Sequence, residues 1–197
     1  MCRTCSTFGS DLAVRPLSST HAQIEPAALE RLAKIKLFAM DVDGTLTDGR
    51  VTYVGDNESQ SFDVQDGQGL VWMRKAGVQL AWITGRGCAA TSRRAQELGV
   101  EFLVLQCKGK LAALIKIQKE LGITSEETLS FGDDLPDLAL AQASGFFCAP
   151  ANARPEVIER ADYVTRLDGG RGAARELCDL YLQASGRWDD LHKASGR

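Results

Sequence analysis

The chain has 197 residues, which is enough for one domain of ordinary size with a tail and too few for two full domains. Hydrophobic residues make up 44% and charged residues 25% of the chain, as in average globular proteins, so the composition excludes disordered and fibrous classes. The net charge of −3 argues against a general binder of nucleic acid or of anionic membranes. We therefore expect the partner to be a small molecule or another protein, with no nucleic acid and no membrane.

The two ends of the chain and the cysteines bear on its location. The first residues lack the apolar core of a signal peptide, so the predicted location is cytoplasmic. We predict a flexible N-terminal tail over 1–24, one domain over 25–188 and a C-terminal tail over 189–197. Six cysteines are present, and four of them lie in apolar or helical segments, which favours reduced thiols over a disulfide framework. Cys2 and Cys5 form an isolated CxxC, for which a flexible tail is favoured over a metal site.

Short apolar runs alternate with helix-like segments along the chain. We predict a helix over 25–34 before the first strand, and strands over 36–41, 78–85, 101–105, 128–134, 146–149 and 162–165. We predict further helices over 67–76, 88–98, 110–121, 135–143, 154–160 and 171–184. Gly99 and Gly122 stand where helices would end. Thr124–Glu127 matches a capping box by sequence, but a turn is equally compatible with the strand that follows.

This alternation predicts the fold class. Near-continuous apolar strands between helices indicate an α/β fold with a doubly wound, Rossmann-like parallel sheet that is covered by helices on both faces. One segment departs from the alternation. Residues 50–64 hold two short β-prone runs around Gly-Asp-Asn-Glu, which predicts a β-hairpin inserted after the first strand.

Polar side chains follow the carboxyl ends of successive predicted strands, where open α/β sheets bind their ligands. Carboxylates gathered at one edge stay ionised together only if a cation lies among them, and hard oxygen ligands favour Mg²⁺. A lysine and a hydroxyl group beside such a metal suit a phosphoryl group. A single Asp-x-Asp would more often be a helix cap or a solvated loop, but the whole set indicates a site. Its members are Asp41, Asp43, Thr84, Arg86, Lys110, Asp133, Asp134 and Asp137.

Four segments in this order resemble the four motifs of the haloacid dehalogenase superfamily. They are DVDGTLTDG at 41–49, ITGR at 83–86, Lys110, and GDDLPD at 132–137. From about residue 25 to 188 the chain is similar to the cap-less 3-deoxy-D-manno-octulosonate 8-phosphate phosphatases of that superfamily, including SFDVQDGQG at 61–69. The resemblance implies a Mg²⁺-dependent phosphatase in lipopolysaccharide precursor synthesis that acts through an aspartyl-phosphate intermediate.

The same resemblance implies the catalytic roles. Asp41 would be the nucleophile, and Asp43 would act as general acid and then as general base. The carboxylates of Asp41 and Asp133 and the backbone carbonyl of Asp43 would hold Mg²⁺. Thr84 and Lys110 would bind the phosphoryl oxygens. Two further acids would orient these groups, namely Asp134 and Asp137.

The resemblance also implies residues that bind the sugar acid. They are Asp43, Asp63, Val64, Gln65, Asp66, Gly67, Arg86, Arg94 and Lys110. For Arg94 a solvated helix face is the alternative, and residues 169–172 could form either an anion-binding nest or a flexible turn. Val71 departs from the family, whose better-known members carry Arg or Lys there. This departure leaves the sugar open, with a nonulosonate 9-phosphate as the nearest alternative.

The spacing between the motifs predicts that no cap domain is present. The hairpin, helices and strands already account for the residues between Asp41 and Lys110, so one chain would leave the site open to water. The resemblance implies a homotetramer in which a neighbouring subunit closes each site. The apolar residues Val51, Tyr53, Val54 and Phe62 would be buried where hairpins pack together. The intact Asp41, Asp43, Lys110 and Asp133 disfavour a non-catalytic oligomeric scaffold. A receiver-type signalling domain is disfavoured because such domains carry a single phosphorylated Asp in mid-chain and lack the DxDGT motif.

Overall fold

The computed structural model describes residues 24–190; the expectations for the first tail, for Cys2 and Cys5, and for residues 191–197 fall outside that range. The main sheet has six strands in the order β5-β4-β1-β6-β7-β8, and every neighbouring pair is parallel. Its strands are β1 (Leu37–Met40), β4 (Gln79–Ile83), β5 (Phe102–Val104), β6 (Thr128–Phe131), β7 (Phe146–Ala149) and β8 (Tyr163–Val164). The predicted α/β fold class is confirmed.

Between residues 24 and 187, seven α-helices accompany the sheet. They are α1 (Pro26–Leu32), α2 (Val64–Lys75), α3 (Ala89–Leu98), α4 (Lys110–Leu121), α5 (Leu138–Ala141), α6 (Pro155–Arg160) and α7 (Ala173–Ala184). Gly99 and Gly122 both adopt the left-handed conformation that ends α3 and α4, with φ of 66° and 65°. Among residues 24–190 no helix combines the length and the apolarity that crossing a membrane requires.

Alternate residues of the central strands point to opposite faces of the sheet, as strand geometry requires. Phe38 and Met40 of β1 join the core cluster formed with α1, α2, α3 and α7. Leu37 and Ala39 join the cluster formed with α4 and α5. Both faces are therefore covered, which explains why β1 is apolar at every position.

The hairpin is a separate two-stranded sheet of β2 (Thr52–Val54) and β3 (Asn57–Ser59), shorter than the predicted 50–64. Its strands pair Val54 with Asn57, so the turn consists of Gly55 and Asp56. Phe62 lies outside the hairpin and stacks on Trp82 of β4 at a centroid separation of 6.0 Å. The expectation that Phe62 is buried at an interface between hairpins was wrong, because its ring packs against the core of its own chain.

Two helices differ from the sequence-based expectation for local reasons. Helix α2 begins at Val64, three residues early, because the Asp63 side chain accepts hydrogen bonds from the N–H groups of Gln65 and Asp66. The predicted helix 135–143 is split into a 3₁₀ turn at Leu135–Asp137 and the short α5. Residues Ser125–Glu127 form a 3₁₀ turn, and Thr124 and Glu127 make the hydrogen bonds of a capping box. The turn and the capping box, given as alternatives for this segment, are therefore both present.

Candidate active site

The site lies at the carboxyl edge of the sheet, where the strand order changes direction around β1. The chain runs from β1 to β4 and β5 on one side and then crosses to β6 on the other, so the switch point lies between β1 and β6. Asp41 follows β1 and Asp133 follows β6, while Thr84 follows β4 and Lys110 opens α4. Asp41, Thr84 and Lys110 line a cavity of about 650 Å³, a size that suits a small-molecule ligand.

Lys110 forms the centre of a buried charge network. Its Nζ lies 2.6 Å from Asp41 Oδ1 and 2.6 Å from Asp137 Oδ1, and the lysine is only 8% exposed. The other oxygen of Asp137 accepts hydrogen bonds from the backbone N–H groups of Asp133 and Asp134. Asp137 therefore fixes both the lysine and the loop that carries Asp133, which is the orienting contact expected from the sequence.

Burial and crowding of carboxylates shape the protonation of this network. Burial, with a further contribution from Asp137, raises the pKa of Asp41 to about 7, although Lys110 acts in the opposite direction. Burial likewise raises the pKa of Asp133 to about 6. Burial lowers the pKa of Lys110, but the two neighbouring carboxylates outweigh it and keep the value above the ordinary one. The site thus contains more carboxylate than its lysine neutralises and would bind a further cation favourably.

The donor set fits a hard divalent cation. Ligand atoms of Asp41, Asp133 and Asp137 lie within 4.8 Å of one another. Asp137 already uses both oxygens, whereas the hydrogen bond from Thr45 uses only Oδ1 of Asp133. Gly44, with φ of 98°, leaves the space into which the Asp133 carboxylate projects, and a Cβ there would overlap it. All-oxygen donors of this kind suit Mg²⁺.

Asp43 is held by two side chains, one from each side. Thr84 Oγ1 donates to Asp43 Oδ2 at 2.7 Å, and Gln60 Nε2 donates to Asp43 Oδ1 at 2.7 Å. Thr84 is itself fixed, because its hydroxyl oxygen accepts from the N–H of Arg86. The second Asp of the motif therefore stands at the cavity wall with both oxygens oriented.

Arg86 lines the same cavity and is exposed at its mouth. Its guanidinium pairs with Glu58 of the hairpin at 2.9 Å, and this contact raises the pKa of the arginine. The predicted cationic side chain of Arg86 is therefore present at the site, and its ion pair with Glu58 joins it to β3. Lys108 also lines the cavity and is exposed.

The predicted sugar-binding residues over 63–67 do not line this cavity within the single chain. Asp66 is 3% exposed, and its carboxylate accepts from the N–H groups of Gly172 and Arg175. It thus caps the N-terminus of α7 from the neighbouring helix α2, while burial raises its pKa to about 6. Gln65 faces a second cavity of about 490 Å³ beside α7, and Val64 is 79% exposed.

Arg94 packs against the start of α2. Its guanidinium donates to the carbonyl of Asp63 at 3.4 Å and lies over Gly67, where a Cβ would overlap it. The side chain also pairs with Glu97 at 3.4 Å and is 22% exposed. Arg94 therefore joins α3 to α2 in this chain, and its contact with substrate stays a prediction. Val71 is partly buried against the core, so it presents no polar group to either cavity.

The segment 169–172 braces the loop that follows β1. The N–H of Gly170 donates to the carbonyl of Thr45, and a Cβ on Gly169 would overlap the carbonyl oxygen of Gly44. Gly169 donates to the side chain of Asn152, and Gly172 to Asp66. Because these N–H groups have protein partners, the segment does not present the anion-binding nest considered from the sequence.

Replacing Gly169 by alanine should therefore disturb the site from outside it. We expect the added methyl group to displace the loop after β1, with a stability loss of about 1–3 kcal/mol and a fall in kcat of up to ~100-fold. Thermal unfolding and steady-state kinetics measure the two effects. A variant that keeps the parental melting temperature and kcat would show that the loop does not depend on this contact.

Two residues of the site were not predicted from the sequence. Thr45 donates from Oγ1 to Asp133 Oδ1 at 2.7 Å and so orients that carboxylate. Gln60 lies just after β3 and contacts Asp43. The spacing between Glu58 and Gln60 indicates that they share a face, because residues two apart on a strand point to the same side. Nothing in the sequence indicated that this face turns toward the first motif.

Comparisons with known proteins agree with this geometry. A family model for haloacid dehalogenase-like hydrolases matches residues 108–177. The 3-deoxy-D-manno-octulosonate 8-phosphate phosphatase KdsC of Salmonella typhimurium is 38% identical over 176 residues, covering 88% of this chain and 93% of the relative.

Two solved structures show the same arrangement of the chain. The phosphatase from Moraxella catarrhalis, in complex with magnesium ion, phosphate ion and KDO, is 40% identical with a TM-score of 0.83, covering 85% of this chain and 97% of the other. The cobalt-bound deoxy-D-mannose-octulosonate 8-phosphate phosphatase from Haemophilus influenzae is 37% identical with a TM-score of 0.80, covering 84% and 98%.

The fold and the acid-lysine site define the class as haloacid dehalogenase-like hydrolases. Within this class the chain belongs to the family of the 3-deoxy-D-manno-octulosonate 8-phosphate phosphatases, and the resemblance noted in its motifs is confirmed.

Proposed function

We propose that this chain hydrolyses 3-deoxy-D-manno-octulosonate 8-phosphate to the free sugar acid and phosphate, in lipopolysaccharide precursor synthesis. The observation that carries the proposal is the pairing of Asp41 with Lys110 at 2.6 Å in a cavity that also presents the oriented Asp43. A nucleophile, a cation and a second acid are thereby brought together as a phosphomonoesterase needs them. Relatives with this substrate in their names cover most of the chain.

The proposed reaction has two displacements at phosphorus. A carboxylate oxygen of Asp41 attacks, the bond from phosphorus to the sugar oxygen breaks, and Asp43 donates a proton to that oxygen. Asp43 then takes a proton from water, which attacks phosphorus, releases phosphate and restores the Asp41 carboxylate. Lys110 holds a phosphoryl oxygen and favours the ionised form of Asp41. Thr84 holds another phosphoryl oxygen once substrate is bound, when its hydroxyl group turns from Asp43 to the phosphoryl group.

The proposed cofactor is Mg²⁺, held by the carboxylates of Asp41 and Asp133 and the backbone carbonyl of Asp43. When bound, it supplies positive charge that lowers the pKa of its carboxylate ligands and neutralises charge on the phosphoryl group. Asp133 is oriented for this role by Thr45 and by its place beside Gly44.

Recognition of the sugar acid is proposed to use cations at the mouth of the cavity together with the segment 63–67. Arg86 lies at the mouth, and Arg94 holds the start of α2 against α3. The segment, which runs from Asp63 through Val64, Gln65 and Asp66 to Gly67, would contact substrate from the edge of the site or from a neighbouring subunit. Because this chain has Val71 where better-known family members carry Arg or Lys, a nonulosonate 9-phosphate is the second candidate substrate.

The decisive experiment measures phosphate release from a panel of sugar-acid phosphates, aryl phosphates and simple alkyl phosphates, with Mg²⁺ and with EDTA. We expect the highest kcat/KM for the octulosonate 8-phosphate and no turnover in EDTA. A preference for a nonulosonate 9-phosphate would reassign the substrate, and a flat profile across the panel would refute the proposed specificity. Turnover that persists in EDTA would contradict the metal assignment.

The proposed assembly is a homotetramer in which hairpins pack together. Tyr53 and Val54 of β2 are 71% and 64% exposed, an apolar surface that a monomer would leave in water. Replacing Tyr53 by aspartate should shift the protein to smaller species in size-exclusion chromatography with light scattering. Asp56→Asn in the hairpin turn is the matched control and should keep the parental mass. A Tyr53→Asp protein of unchanged mass would place the interface elsewhere.

The domain limits of 25–188 and the cytoplasmic location are likewise proposals. Helices and strands assigned to the domain run from Pro26 to Ala184, which supports the limits. The four cysteines among residues 24–190 are free thiols, and free thiols are typical of a reducing compartment.

A further inference from the structure

The hairpin strand β3 and the residue that follows it reach into the site of their own chain through two alternate side chains. Glu58 and Gln60 lie on one face of the extended segment and contact Arg86 and Asp43, respectively. The carboxylate of Glu58 lies 2.9 Å from the guanidinium of Arg86, and the amide of Gln60 lies 2.7 Å from Asp43. The hairpin therefore holds two side chains of the catalytic cavity, and it also carries exposed apolar residues.

The direction of the Gln60 amide is set by its partners at the start of α3. Thr91 is fully buried, and its hydroxyl oxygen accepts from the N–H of Cys88 at 3.4 Å. The hydroxyl proton of Thr91 is then directed to Gln60 Oε1, at 2.6 Å, and the Cys88 thiol donates to the same oxygen at 3.3 Å. Two donors at Oε1, together with a carboxylate of Asp43 that only accepts, favour the orientation in which the amide nitrogen faces Asp43.

An N–H group that faces Asp43 has a defined chemical effect. A donated hydrogen bond fixes the rotation of the carboxylate, and Thr84 fixes its other oxygen. A carboxyl group acts as general acid or base only when it is held in reach of the proton that it transfers. An amide turned the other way would present a carbonyl oxygen to a carboxylate, and the two acceptors would repel each other.

We propose that Gln60 is a positioning residue for Asp43, with Thr91 and Cys88 setting the direction of its amide. This proposal rests on the proposed phosphatase function. Gln60 acts through Asp43, and no hydrogen bond joins its side chain to the phosphoryl-binding residues Thr84 and Lys110. Its loss should therefore impair proton transfer to the leaving oxygen and leave phosphate binding intact.

The test compares leaving groups. The oxygen of an alkyl or sugar phosphate needs a proton as it departs, whereas nitrophenolate departs without one. For Gln60→Leu we expect kcat/KM to fall about 10- to 100-fold with the best alkyl or sugar phosphate and less than about 3-fold with p-nitrophenyl phosphate. The KM for the alkyl substrate should stay near the parental value. Gln68→Leu, an exposed glutamine on α2, is the matched control and should change neither substrate's kinetics.

A second pair of variants tests the direction of the amide and does not remove Gln60. Thr91→Val deletes the hydroxyl donor and should reproduce a smaller defect that is confined to the alkyl substrate. Thr91→Ser keeps the donor and should restore activity. The pair decides the question if Gln60→Leu does not fold.

Three outcomes would overturn the proposal. They are parental kcat/KM of Gln60→Leu with the alkyl substrate, equal losses with both substrates, and equal activity of Thr91→Val and Thr91→Ser. A wrong substrate assignment would give a different result, because the parental enzyme would then hydrolyse other phosphomonoesters but not the sugar-acid phosphate. A parental enzyme that hydrolyses no phosphomonoester would refute both proposals.

Discussion

Replacing Asp41 by asparagine is expected to lower kcat by about 10⁴-fold or more, the largest effect of any single substitution in this chain. An amide cannot form the acyl phosphate that splits the reaction into two steps. Folding should survive, because the amide oxygen can still accept the hydrogen bond from Lys110, now at 2.6 Å from the carboxylate. Phosphate release and thermal unfolding are measured side by side.

A chemical trap makes the same variant a test of the mechanism. Acid quenching of the parental enzyme with a ³²P-labelled substrate should leave label on the protein, and Asp41→Asn should retain none. Asp190→Asn, an exposed acid far along the chain, serves as the matched control and should keep both turnover and label. Equal turnover by Asp41→Asn would remove Asp41 from the role of nucleophile.

Replacing Lys110 by methionine should impair both activity and stability. The lysine is the shared cation of two buried carboxylates, and breaking such a network by removing one partner costs about 3–5 kcal/mol. Without Lys110 the pKa of Asp41 should rise further above its present value of about 7, so that the nucleophile is protonated at neutral pH. We expect a loss in kcat of at least ~10³-fold, because transition-state charge is also left without its donor.

The stability deficit of Lys110→Met should depend on pH in a defined direction. An acid whose pKa is higher in the folded than in the unfolded chain binds more protons when folded, so stability falls as pH rises between the two values. The deficit should therefore be small near pH 4 to 5, close to the unfolded value of 3.8, and grow as pH rises through about 7. Denaturant unfolding at a series of pH values, in EDTA, measures this trend.

Two further variants separate charge from packing in that experiment. Lys110→Met combined with Asp137→Asn removes one of the opposed acids and should recover much of the stability without recovering activity. Lys116→Met, an exposed lysine of the same helix, should change neither quantity. If Lys110→Met is as stable as Lys116→Met at neutral pH, the ion pairs contribute nothing to folding.

The sequence allowed the fold and the centre of the site to be predicted because both depend on local patterns. Apolar runs that end on acids predicted the strands, and parallel strands bring their carboxyl ends to one edge, which placed Asp41, Thr84 and Asp133 together. The contact between Lys110 and Asp137 was less accessible, because it depends on how a 3₁₀ turn replaces the start of the predicted helix 135–143.

What escaped prediction depends on packing between distant segments. The contact between Gln60 and Asp43 depends on the angle at which the hairpin leaves the sheet. The inward position of Phe62 depends on its stacking with Trp82. Asp66 caps α7 because α2 and α7 pack side by side, a contact that motif spacing does not encode. Periodicity describes one element at a time, so such contacts between elements lie beyond it.

The brace between residues 169–172 and the loop after β1 bears on the order in which the protein is made. Gly170 meets Thr45 across more than half the length of the chain, so the catalytic loop acquires its final support only after most residues have left the ribosome. A nascent chain that ends before α7 would hold Asp41, Lys110 and Asp133 but lack that support. Activity should therefore arise late in synthesis, once the C-terminal helix has docked, and truncated products should be inactive.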